Sequence, residues 1–318
     1  MYKLFFGGYG YSQNCPEAKA FLEQNGFEII ENPYQRPYTK SELLEIADGL
    51  DAVITGMDEW DEELFKKGRK IKSIAKFGIG VDNIDLEKAR EYGIKVSNAP
   101  ASTNAVAELV IGYMIGLKRN LIKGDLVCRT GGWDRITGSE ISGKNIGLIG
   151  FGKIPKLIAK KLQGFDANVL AFDKYPDCET ANKYNVRLCG FDELVGKCDI
   201  LSLHLPKLEE TRHIINSGTI SKMKEGAFFI NTSRGALVDE NALYEALASG
   251  KLSGAAADVF ETEPVPEDNR LLSLDNFICT PHWGSDTIET IQMVGKITAQ
   301  ATVDVVCKGL DPVNYVNK

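Results

Sequence analysis

The chain has no long hydrophobic run, no cluster of basic residues and no paired cysteine spacing. No stretch approaches the ~20 consecutive apolar residues of a membrane helix, and the N-terminus is typical of a short strand followed by glycines rather than of a signal peptide. We therefore expect a cytoplasmic protein without membrane segments. A net charge of −7 argues against nucleic acid as a partner. The seven scattered cysteines predict reduced thiols, and neither a bound metal nor a disulfide framework.

Length and composition predict two domains, because 318 residues with 43% apolar side chains suffice for two cores. The first hundred residues alternate strands and helices, which predicts a doubly wound α/β domain. Its strands are predicted at 2–6, 26–30, 52–55, 73–76 and 95–97, and its helices at 16–24, 39–47, 61–67 and 86–92.

The alternation resumes after a long helix predicted at about 105–121. A second parallel sheet is predicted from strands at 145–149, 167–172, 199–203, 227–231, 254–258 and 277–280. The final helical pattern at 287–308 has no strand after it, so we expect this helix to cross back and cover the first domain. The predicted domains are 1–99, completed by 285–318, and 100–284, with crossovers near 98–100 and 283–287 and a ligand cleft between them.

A glycine-rich motif follows the predicted strand at 145–149 and precedes a helical pattern. Gly150 permits a tight turn, and Gly152 lets the backbone approach a pyrophosphate at the helix N-terminus. Asp173 ends the next predicted strand, where a carboxylate accepts hydrogen bonds from ribose hydroxyls. Pro155 stands where a third glycine is typical, and proline fits the first turn of a helix. This order of strand, glycines, helix, strand and acid predicts a bound dinucleotide.

Only three histidines are available for acid–base chemistry. His204 lies at the end of a predicted strand and is expected to line the cofactor cleft through its backbone. His213 is expected to begin a helix at the surface. His282 follows a short apolar strand at the carboxyl edge of the sheet, where ligands bind in such folds, and is the best placed of the three.

Two further segments end predicted strands at the same edge: Arg234 follows one, and Glu261 and Glu263 follow the other. A guanidinium can hold a carboxylate with two hydrogen bonds, and a carboxylate beside an imidazole orients the ring and favours its protonated form. These residue types suit the reduction of a 2-oxo acid, in which a proton reaches the carbonyl oxygen as hydride reaches carbon. Taken singly, a structural arginine and a surface glutamate are equally good interpretations.

These motifs resemble the signatures of the D-2-hydroxyacid dehydrogenases, the family of D-3-phosphoglycerate dehydrogenase and glyoxylate reductase. The matching segments follow in order over nearly the whole chain, at 77–85, 98–100, 107–108, 147–155, 231–235, 258–264 and 280–284. The resemblance implies a flavodoxin-like substrate domain, a Rossmann NAD-binding domain and a C-terminal crossover helix. It also implies that Arg234 binds the substrate carboxylate, that His282 is the acid–base group and that Glu263 is its partner.

The resemblance further implies that a backbone loop of Gly78, Ile79 and Gly80 contacts the substrate carboxylate. Lys76, beside this loop, either favours an additional negative charge on the substrate or is a packing residue. The cofactor-binding residues expected are Thr103, Gly150, Gly152, Lys153, Ile154, Asp173, His204, Leu205, Pro206, Thr211, Thr232, Ser233, Asp258, His282 and Gly284. The charge of Asp173 predicts NAD in preference to NADP, because it would repel a 2′-phosphate.

The leading hypothesis is an NAD-dependent D-2-hydroxyacid dehydrogenase of the phosphoglycerate dehydrogenase-like kind, acting on a small 2-hydroxy or 2-oxo acid. The alternatives are a glyoxylate or hydroxypyruvate reductase, another 2-oxo acid reductase, an enzyme that oxidises an inorganic or one-carbon anion such as phosphite, and, in a different class, an NAD-sensing corepressor-like interaction protein. Formate dehydrogenases pair the histidine with glutamine, so Glu263 disfavours that branch. Segment 116–143, with Trp133, resembles the family's dimerisation arm and implies a homodimer.

Overall fold

The computed structural model describes residues 1–34 and 36–318 and divides into two compact units. Unit 1 comprises Met1–Ser102 and Ser285–Lys318, and unit 2 comprises Thr103–Gly284. The chain thus passes from one unit to the other after Ser102 and again after Gly284.

Unit 1 is built around a five-stranded parallel sheet with the strand order β2-β1-β3-β4-β5. The elements of its N-terminal part are β1 (Tyr2–Tyr9), α1 (Tyr11–Asn14), α2 (Pro16–Gln24), β2 (Phe27–Asn32), α3 (Lys40–Ile46), β3 (Ala52–Thr55), α4 (Glu62–Lys67), β4 (Ser73–Lys76), α5 (Leu86–Glu91) and β5 (Lys95–Ser97). The strand order confirms the flavodoxin-like arrangement. All residues of β3 and β4 are buried, as expected for inner strands of a parallel sheet covered on both faces.

Unit 2 contains a seven-stranded parallel sheet with the order β12-β11-β10-β9-β6-β7-β8. Its elements are α6 (Thr103–Arg119), α7 (Leu121–Arg129), β6 (Asn145–Ile149), α8 (Lys153–Leu162), β7 (Asn168–Phe172), α9 (Cys178–Lys183), β8 (Val186–Leu188), α10 (Phe191–Lys197), β9 (Ile200–Leu203), α11 (Ser217–Lys222), β10 (Ala227–Asn231), α12 (Glu240–Ala248), β11 (Leu252–Ala257) and β12 (Phe277–Cys279). This order confirms a Rossmann domain. The strand order reverses between β6 and β9, and ligands bind at the carboxyl ends of the strands beside such a reversal.

The alternation of side chains along β6 divides the core of unit 2 between the two faces of the sheet. Ile146 and Leu148 pack with residues of α6 and α8. Ile149 packs on the opposite face with residues of α10, α11 and α12. Both faces of the sheet are therefore covered by helices, and the carboxyl edge of its strands is formed by loops.

The last helix, α13 (Ile288–Val306), belongs to unit 1. Its residues Ala299, Val303 and Val306 share a core cluster with Leu4 and Phe6 of β1, so the predicted crossover helix is confirmed. In the part of the chain that the structure describes, no helix is long and apolar enough to cross a membrane. The seven cysteines, all within the described ranges, are free thiols.

Candidate active site

The turn after β6 requires glycine at its first position. Gly150 has φ 97°, and a Cβ atom there would lie 2.7 Å from the carbonyl oxygen of His204 and 3.3 Å from the side chain of Leu205. Gly152 is different, because a Cβ atom there would meet nothing within 4 Å. The space above Gly152 is therefore open at the carboxyl edge of the sheet, as a bound pyrophosphate requires.

Helix α8 begins directly behind this turn, with Gly152 as its N-cap and Lys153 and Ile154 as its first residues. A glycine cap has no side chain to occupy the backbone N–H groups of the first turn, which are donors suited to an anion. Pro155 lies in this first turn, where a backbone N–H has no partner within the helix, so its missing N–H costs no helical hydrogen bond.

Asp173 follows β7 and is fixed against the glycine turn by two backbone groups. Its Oδ2 accepts a hydrogen bond of 2.6 Å from Phe151 N–H, and its Oδ1 accepts one of 2.7 Å from Tyr175 N–H. Each carboxylate oxygen can accept a second bond, so ribose hydroxyls fit here. The neighbouring Lys174 donates to the Glu210 carboxylate at 3.1 Å, which offsets the cation nearest to Asp173 in sequence.

The loop after β9 is held by its own side chains. His204 Nε2 lies 2.8 Å from the hydroxyl of Ser202, and burial lowers the pKa of His204 to about 3, so the ring is neutral at physiological pH. Thr211 donates to the carbonyl oxygen of Pro206 at 2.7 Å and accepts from Leu208 N–H at 2.9 Å. The structure thus places His204 against Gly150, and the hydrogen bonds of Thr211 fix the conformation of the loop that contains Pro206.

The loop after β10 presents Arg234 on a rigid turn. Asn231 Oδ1 accepts hydrogen bonds from the N–H and the hydroxyl of Ser233, and Asn231 Nδ2 donates to the carbonyl oxygen of Arg234 at 2.9 Å. The guanidinium of Arg234 donates to the carbonyl oxygen of Ser233 at 2.7 Å. Thr232 Oγ1 is buried without a hydrogen-bond partner among the described residues, which fits a polar cofactor group at this position.

Gly235 brings this loop against the one that follows β11. A Cβ atom at Gly235 would overlap the backbone carbonyl of Phe260, so no other residue fits without moving a loop. The close approach places Arg234 near the acidic segment after β11, and its positive charge contributes to lowering the pKa of Glu263.

Glu263 and His282 form the central pair of the site. His282 Nδ1 lies 2.6 Å from Glu263 Oε2, and Glu263 Oε1 accepts a hydrogen bond of 2.9 Å from Phe260 N–H. Burial raises the pKa of Glu263, but the hydrogen bond and charge of His282, the Phe260 N–H and the charge of Arg234 outweigh it, so the pKa lies below its ordinary value. The carboxylate is therefore ionised and orients the imidazole.

The imidazole of His282 is held in a partly open position. Its side chain is 34% exposed, and its backbone has φ 54°, in the left-handed region that non-glycine residues seldom occupy. Because Nδ1 is engaged with Glu263, Nε2 is the nitrogen that can exchange a proton with a ligand.

The second acid of this loop, Glu261, pairs with a different histidine. His213 Nε2 contacts Glu261 Oε1, and both side chains are partly exposed. His213 does not begin a helix as predicted, because α11 begins at Ser217 and is capped by Asn216, whose side chain accepts from Thr219 N–H. Of the two acids that sequence reasoning proposed after this strand, the structure pairs Glu263 with His282.

Sequence reasoning missed Tyr113 and expected Asp258 only as a cofactor contact, whereas both residues support the His282 loop. Asp258, 2% exposed, accepts hydrogen bonds from Thr280 Oγ1 at 2.5 Å, Trp283 N–H at 3.0 Å and Gly284 N–H at 2.8 Å. Tyr113 of α6 contacts the Thr280 hydroxyl with its own. The available signal was a tyrosine among apolar residues of a helix, because a buried tyrosine hydroxyl needs a partner.

The remaining predicted contacts lie at the ends of other elements. Thr103 is the first residue of α6. In unit 1, the loop after β4 contains Gly78, with φ 149°, and its carbonyl oxygen accepts from Ala99 N–H. The carbonyl oxygen of Ile79 accepts from the Asn98 side chain at 2.8 Å; the side chain of Ile79 is exposed, and Gly80 is half-buried.

Lys76 ends β4 and is only 7% exposed. Its ammonium group donates to the carbonyl oxygen of Gly56 and to Asn83 Oδ1, the latter at 3.1 Å. Asn83 Nδ2 in turn donates to the carbonyl oxygens of Gly56 and Asp58. Lys76 and Asn83 together connect the loop after β3 to the loop after β4.

Comparison with known proteins assigns the family. The family model described as "D-isomer specific 2-hydroxyacid dehydrogenase, NAD binding domain" matches residues 111–284, more than half of the chain. The chain belongs to the D-2-hydroxyacid dehydrogenase family. Unit 2 contains the NAD-binding domain of this family, so the predicted cofactor and family are confirmed.

Relatives within the D-2-hydroxyacid dehydrogenases carry different names. The chain is 43% identical over 284 residues to a D-3-phosphoglycerate dehydrogenase of Methanocaldococcus jannaschii, covering 88% of this chain but only 54% of that protein. It therefore spans about half the length of that relative. It is 41% identical over 286 residues to a hydroxypyruvate reductase of Thermotoga maritima, covering 86% of this chain and 92% of that protein. The TT0316 protein of Thermus thermophilus, a crystal structure, aligns over 99% of both chains with a TM-score of 0.90 and 31% identity.

Proposed function

We propose that this D-2-hydroxyacid dehydrogenase catalyses NAD-dependent hydride transfer on a small 2-oxo acid. The observation that carries the proposal is the 2.6 Å pair of His282 and Glu263, on loops of the same domain as Arg234 and the open turn at Gly152. A proton donor, an oriented carboxylate, a guanidinium and a dinucleotide turn are the groups that this reaction needs.

The cofactor residues follow from the fit of the site. We propose that the N-terminus of α8 at Gly152–Ile154 holds the pyrophosphate, that Asp173 binds the ribose hydroxyls and that Thr232 contributes its unpartnered hydroxyl. When bound, NADH supplies the hydride that reaches the substrate carbon. The other cofactor contacts expected from the family resemblance remain proposals.

The chain's own groups do the remaining work. Arg234 has the planar fork that holds the substrate carboxylate with two hydrogen bonds. The role in substrate binding that the family resemblance implies for Gly78, Ile79 and Gly80 remains a proposal. Glu263 keeps His282 Nδ1 engaged, so Nε2 delivers the proton to the carbonyl oxygen. Oxidation of the hydroxy acid reverses this proton transfer.

The contacts of Lys76 argue for a substrate without a phosphate group. Sequence reasoning left open an additional anion site at this lysine, but the ammonium already donates to Gly56 and Asn83 and is almost fully buried. We therefore propose that Lys76 holds two loops together and that the substrate is an unphosphorylated 2-oxo acid such as hydroxypyruvate or glyoxylate. The phosphoglycerate dehydrogenase activity, supported by the 43% identity to that relative, is the second candidate.

A matched pair of substrates tests this proposal. Hydroxypyruvate and 3-phosphohydroxypyruvate differ only by the phosphate, and we expect kcat/KM with NADH to be about tenfold or more higher for hydroxypyruvate. Lys76→Met should lower activity on both compounds together, because it loosens the loops. Selective loss of 3-phosphohydroxypyruvate reduction would assign Lys76 to a phosphate site. NADH binding without turnover of these compounds, glyoxylate or pyruvate would favour the corepressor-like class.

The cofactor preference is a second expected result. Because Asp173 is fixed at the strand end and Lys174 is paired with Glu210, the enzyme should use NADH about tenfold or more better than NADPH in kcat/KM. Asp173→Asn should lower the ratio of kcat/KM with NADH to kcat/KM with NADPH. Asp166→Asn, which removes a carboxylate before β7, should leave it unchanged. Equal use of both cofactors by the parent enzyme would show that Asp173 does not face the ribose.

We also propose that the protein is a homodimer through α7 and the segment after it. In α7, all of which the structure describes, no residue is buried. Its Leu121, Ile122 and Leu126 are 52%, 63% and 58% exposed, and Trp133 is 88% exposed. A second copy of the chain would remove this apolar surface from water. Leu126→Ser with Trp133→Ser should sediment as a monomer at concentrations where the parent is a dimer, and Met293→Ser on α13 should not. A monomeric parent would contradict the proposal.

A further inference from the structure

Three side chains of unit 2 form a continuous hydrogen-bonded chain that ends beside His282. Tyr113 contacts Thr280 through their hydroxyls, and Thr280 Oγ1 lies 2.5 Å from Asp258 Oδ1. Asp258 accepts in turn from the N–H groups of Trp283 and Gly284, the two residues that follow His282. A Cβ atom at Gly284 would lie 2.8 Å from Asp258 Oδ2, so glycine is needed for this close contact.

We propose that Tyr113 is a positioning residue for His282, acting through Thr280 and Asp258. This proposal deepens the proposed function and rests on it for the role of His282. Neither Tyr113 nor Thr280 needs to touch substrate or cofactor, because both act through the backbone that carries the imidazole.

The direction of each hydrogen bond follows from the number of protons. An ionised carboxylate only accepts, so the single hydroxyl proton of Thr280 is donated to Asp258. Tyr113 must then donate its own proton to Thr280 Oγ1. Burial raises the pKa of Tyr113, against the opposite effect of its bond to Thr280, so the tyrosine stays a neutral donor at any working pH.

The charge on Asp258 depends on these donors. Burial raises the pKa of Asp258, whereas the Thr280 hydroxyl, the Gly284 and Trp283 N–H groups and the charge of His282 lower it. The titratable groups whose charges act on these residues include His282, which acts on Asp258, and Cys279, which acts on Tyr113. Removing the Tyr113 hydroxyl leaves Thr280 a weaker donor, so Asp258 is protonated at higher pH.

The hydrogen bonds from Tyr113 through Thr280 to Asp258 help to hold the unusual backbone conformation of His282. A non-glycine residue keeps φ 54° only when surrounding contacts prevent its backbone from relaxing to a conformation of lower energy. Glu263 holds the imidazole ring on one side, and the Asp258 carboxylate fixes the two peptide groups that follow. Tyr113 belongs to α6 and its side chain is buried in the core of unit 2, so the hydrogen bonds connect the His282 loop to a packed helix.

The test uses variants that remove single hydroxyls from the full-length protein. A protonated Asp258 accepts more weakly from the two N–H groups after His282, so we expect the rate of reduction to fall at low pH. Tyr113→Phe should move this acid limb to higher pH and so lower kcat/KM for hydroxypyruvate reduction at pH 5 by about tenfold, mostly in kcat. The high-pH limb should stay in place. Thr280→Val should do at least as much, and the double variant no more than Thr280→Val alone, since both interrupt one chain. Tyr184→Phe, at the opposite edge of the sheet, should have no effect.

A second measurement does not depend on turnover. The chain has three tryptophans, so ¹⁵N-tryptophan labelling yields few backbone amide signals, and Trp60 and Trp133 serve as internal references. Hydrogen exchange at the Trp283 amide should accelerate in Tyr113→Phe, with Trp60 unchanged. An unmoved acid limb, unchanged Trp283 exchange or additive effects of the two substitutions would each overturn the positioning role. An enzyme inactive on every 2-oxo acid would overturn the proposed function, while the exchange result would still decide the role of Tyr113.

Discussion

Arg234→Ala should lower kcat/KM for reduction of the 2-oxo acid by about 10² to 10³, the scale for removing one preorganised electrostatic contact. The fold should be retained, because the bond from Asn231 that shapes the turn goes to the backbone of Arg234, whereas its guanidinium donates to the carbonyl oxygen of the adjacent Ser233. The carbonyl oxygen of Arg234 accepts from Asn231 Nδ2, and alanine keeps that bond. Steady-state kinetics, NADH titration and thermal unfolding of the variant measure the three quantities separately.

Two companions sharpen this result. Arg234→Lys keeps the charge but lacks the bidentate fork, so it should recover only part of the lost activity. Arg270→Ala removes an exposed arginine of the same domain, paired with Glu245, and should leave the kinetics unchanged. If Arg234→Ala turned over substrate as the parent does, the carboxylate would have to be held by another group.

Sequence periodicity predicts the buried strands best. The predicted bounds of β3, β4, β5, β6 and β10 agree with the structure to the residue, and β3, β6 and β10 are short, largely apolar runs. The three-residue β8 was not predicted, since it lies at the edge of the sheet beside β7 and includes the exposed Arg187.

Helix ends depend on backbone geometry that a hydrophobic pattern does not contain. One long helix was predicted to reach residue 121, but α6 ends at Arg119 and α7 begins at Leu121. Asn120 between them takes φ 52°, a left-handed conformation that asparagine tolerates better than most residues. The break separates the buried face of α6 from the exposed apolar surface of α7.

The candidate site was predictable where its residues follow strands. Arg234, Glu263 and His282 all lie just beyond the carboxyl ends of parallel strands, which meet at one edge whatever their distance along the chain. The contact of Tyr113 with Thr280 was not predictable in this way, because it joins a helix face to a loop. The family resemblance implies Glu263 as the partner of His282, but strand order alone does not choose between Glu261 and Glu263, because that choice depends on how the loop turns after Phe260.

The pair of Glu263 and His282 should set the pH dependence of the enzyme. Reduction needs the imidazolium as proton donor, so its rate falls as pH rises. The positive charge of His282 helps to hold the pKa of Glu263 below its ordinary value, and the same attraction must stabilise the imidazolium. Glu263→Gln keeps the size but removes the charge, so the high-pH limb of the reductive profile should move to lower pH. The oxidative direction, which needs neutral imidazole, should keep its activity at lower pH than in the parent.

His282→Ala should lower kcat by about 10² to 10⁴ and remove the high-pH limb of the reductive profile. The matched control is Glu261→Gln, two residues from Glu263 in the same loop, because Glu261 pairs with His213 and should leave both limbs where they are. Profiles of kcat/KM in both directions between pH 5 and 10 distinguish the variants. A shift of the limbs in Glu261→Gln and none in Glu263→Gln would exchange the roles of the two glutamates. A limb that persists in His282→Ala would instead assign the proton transfer to another group, because a residue without a titratable side chain cannot produce it.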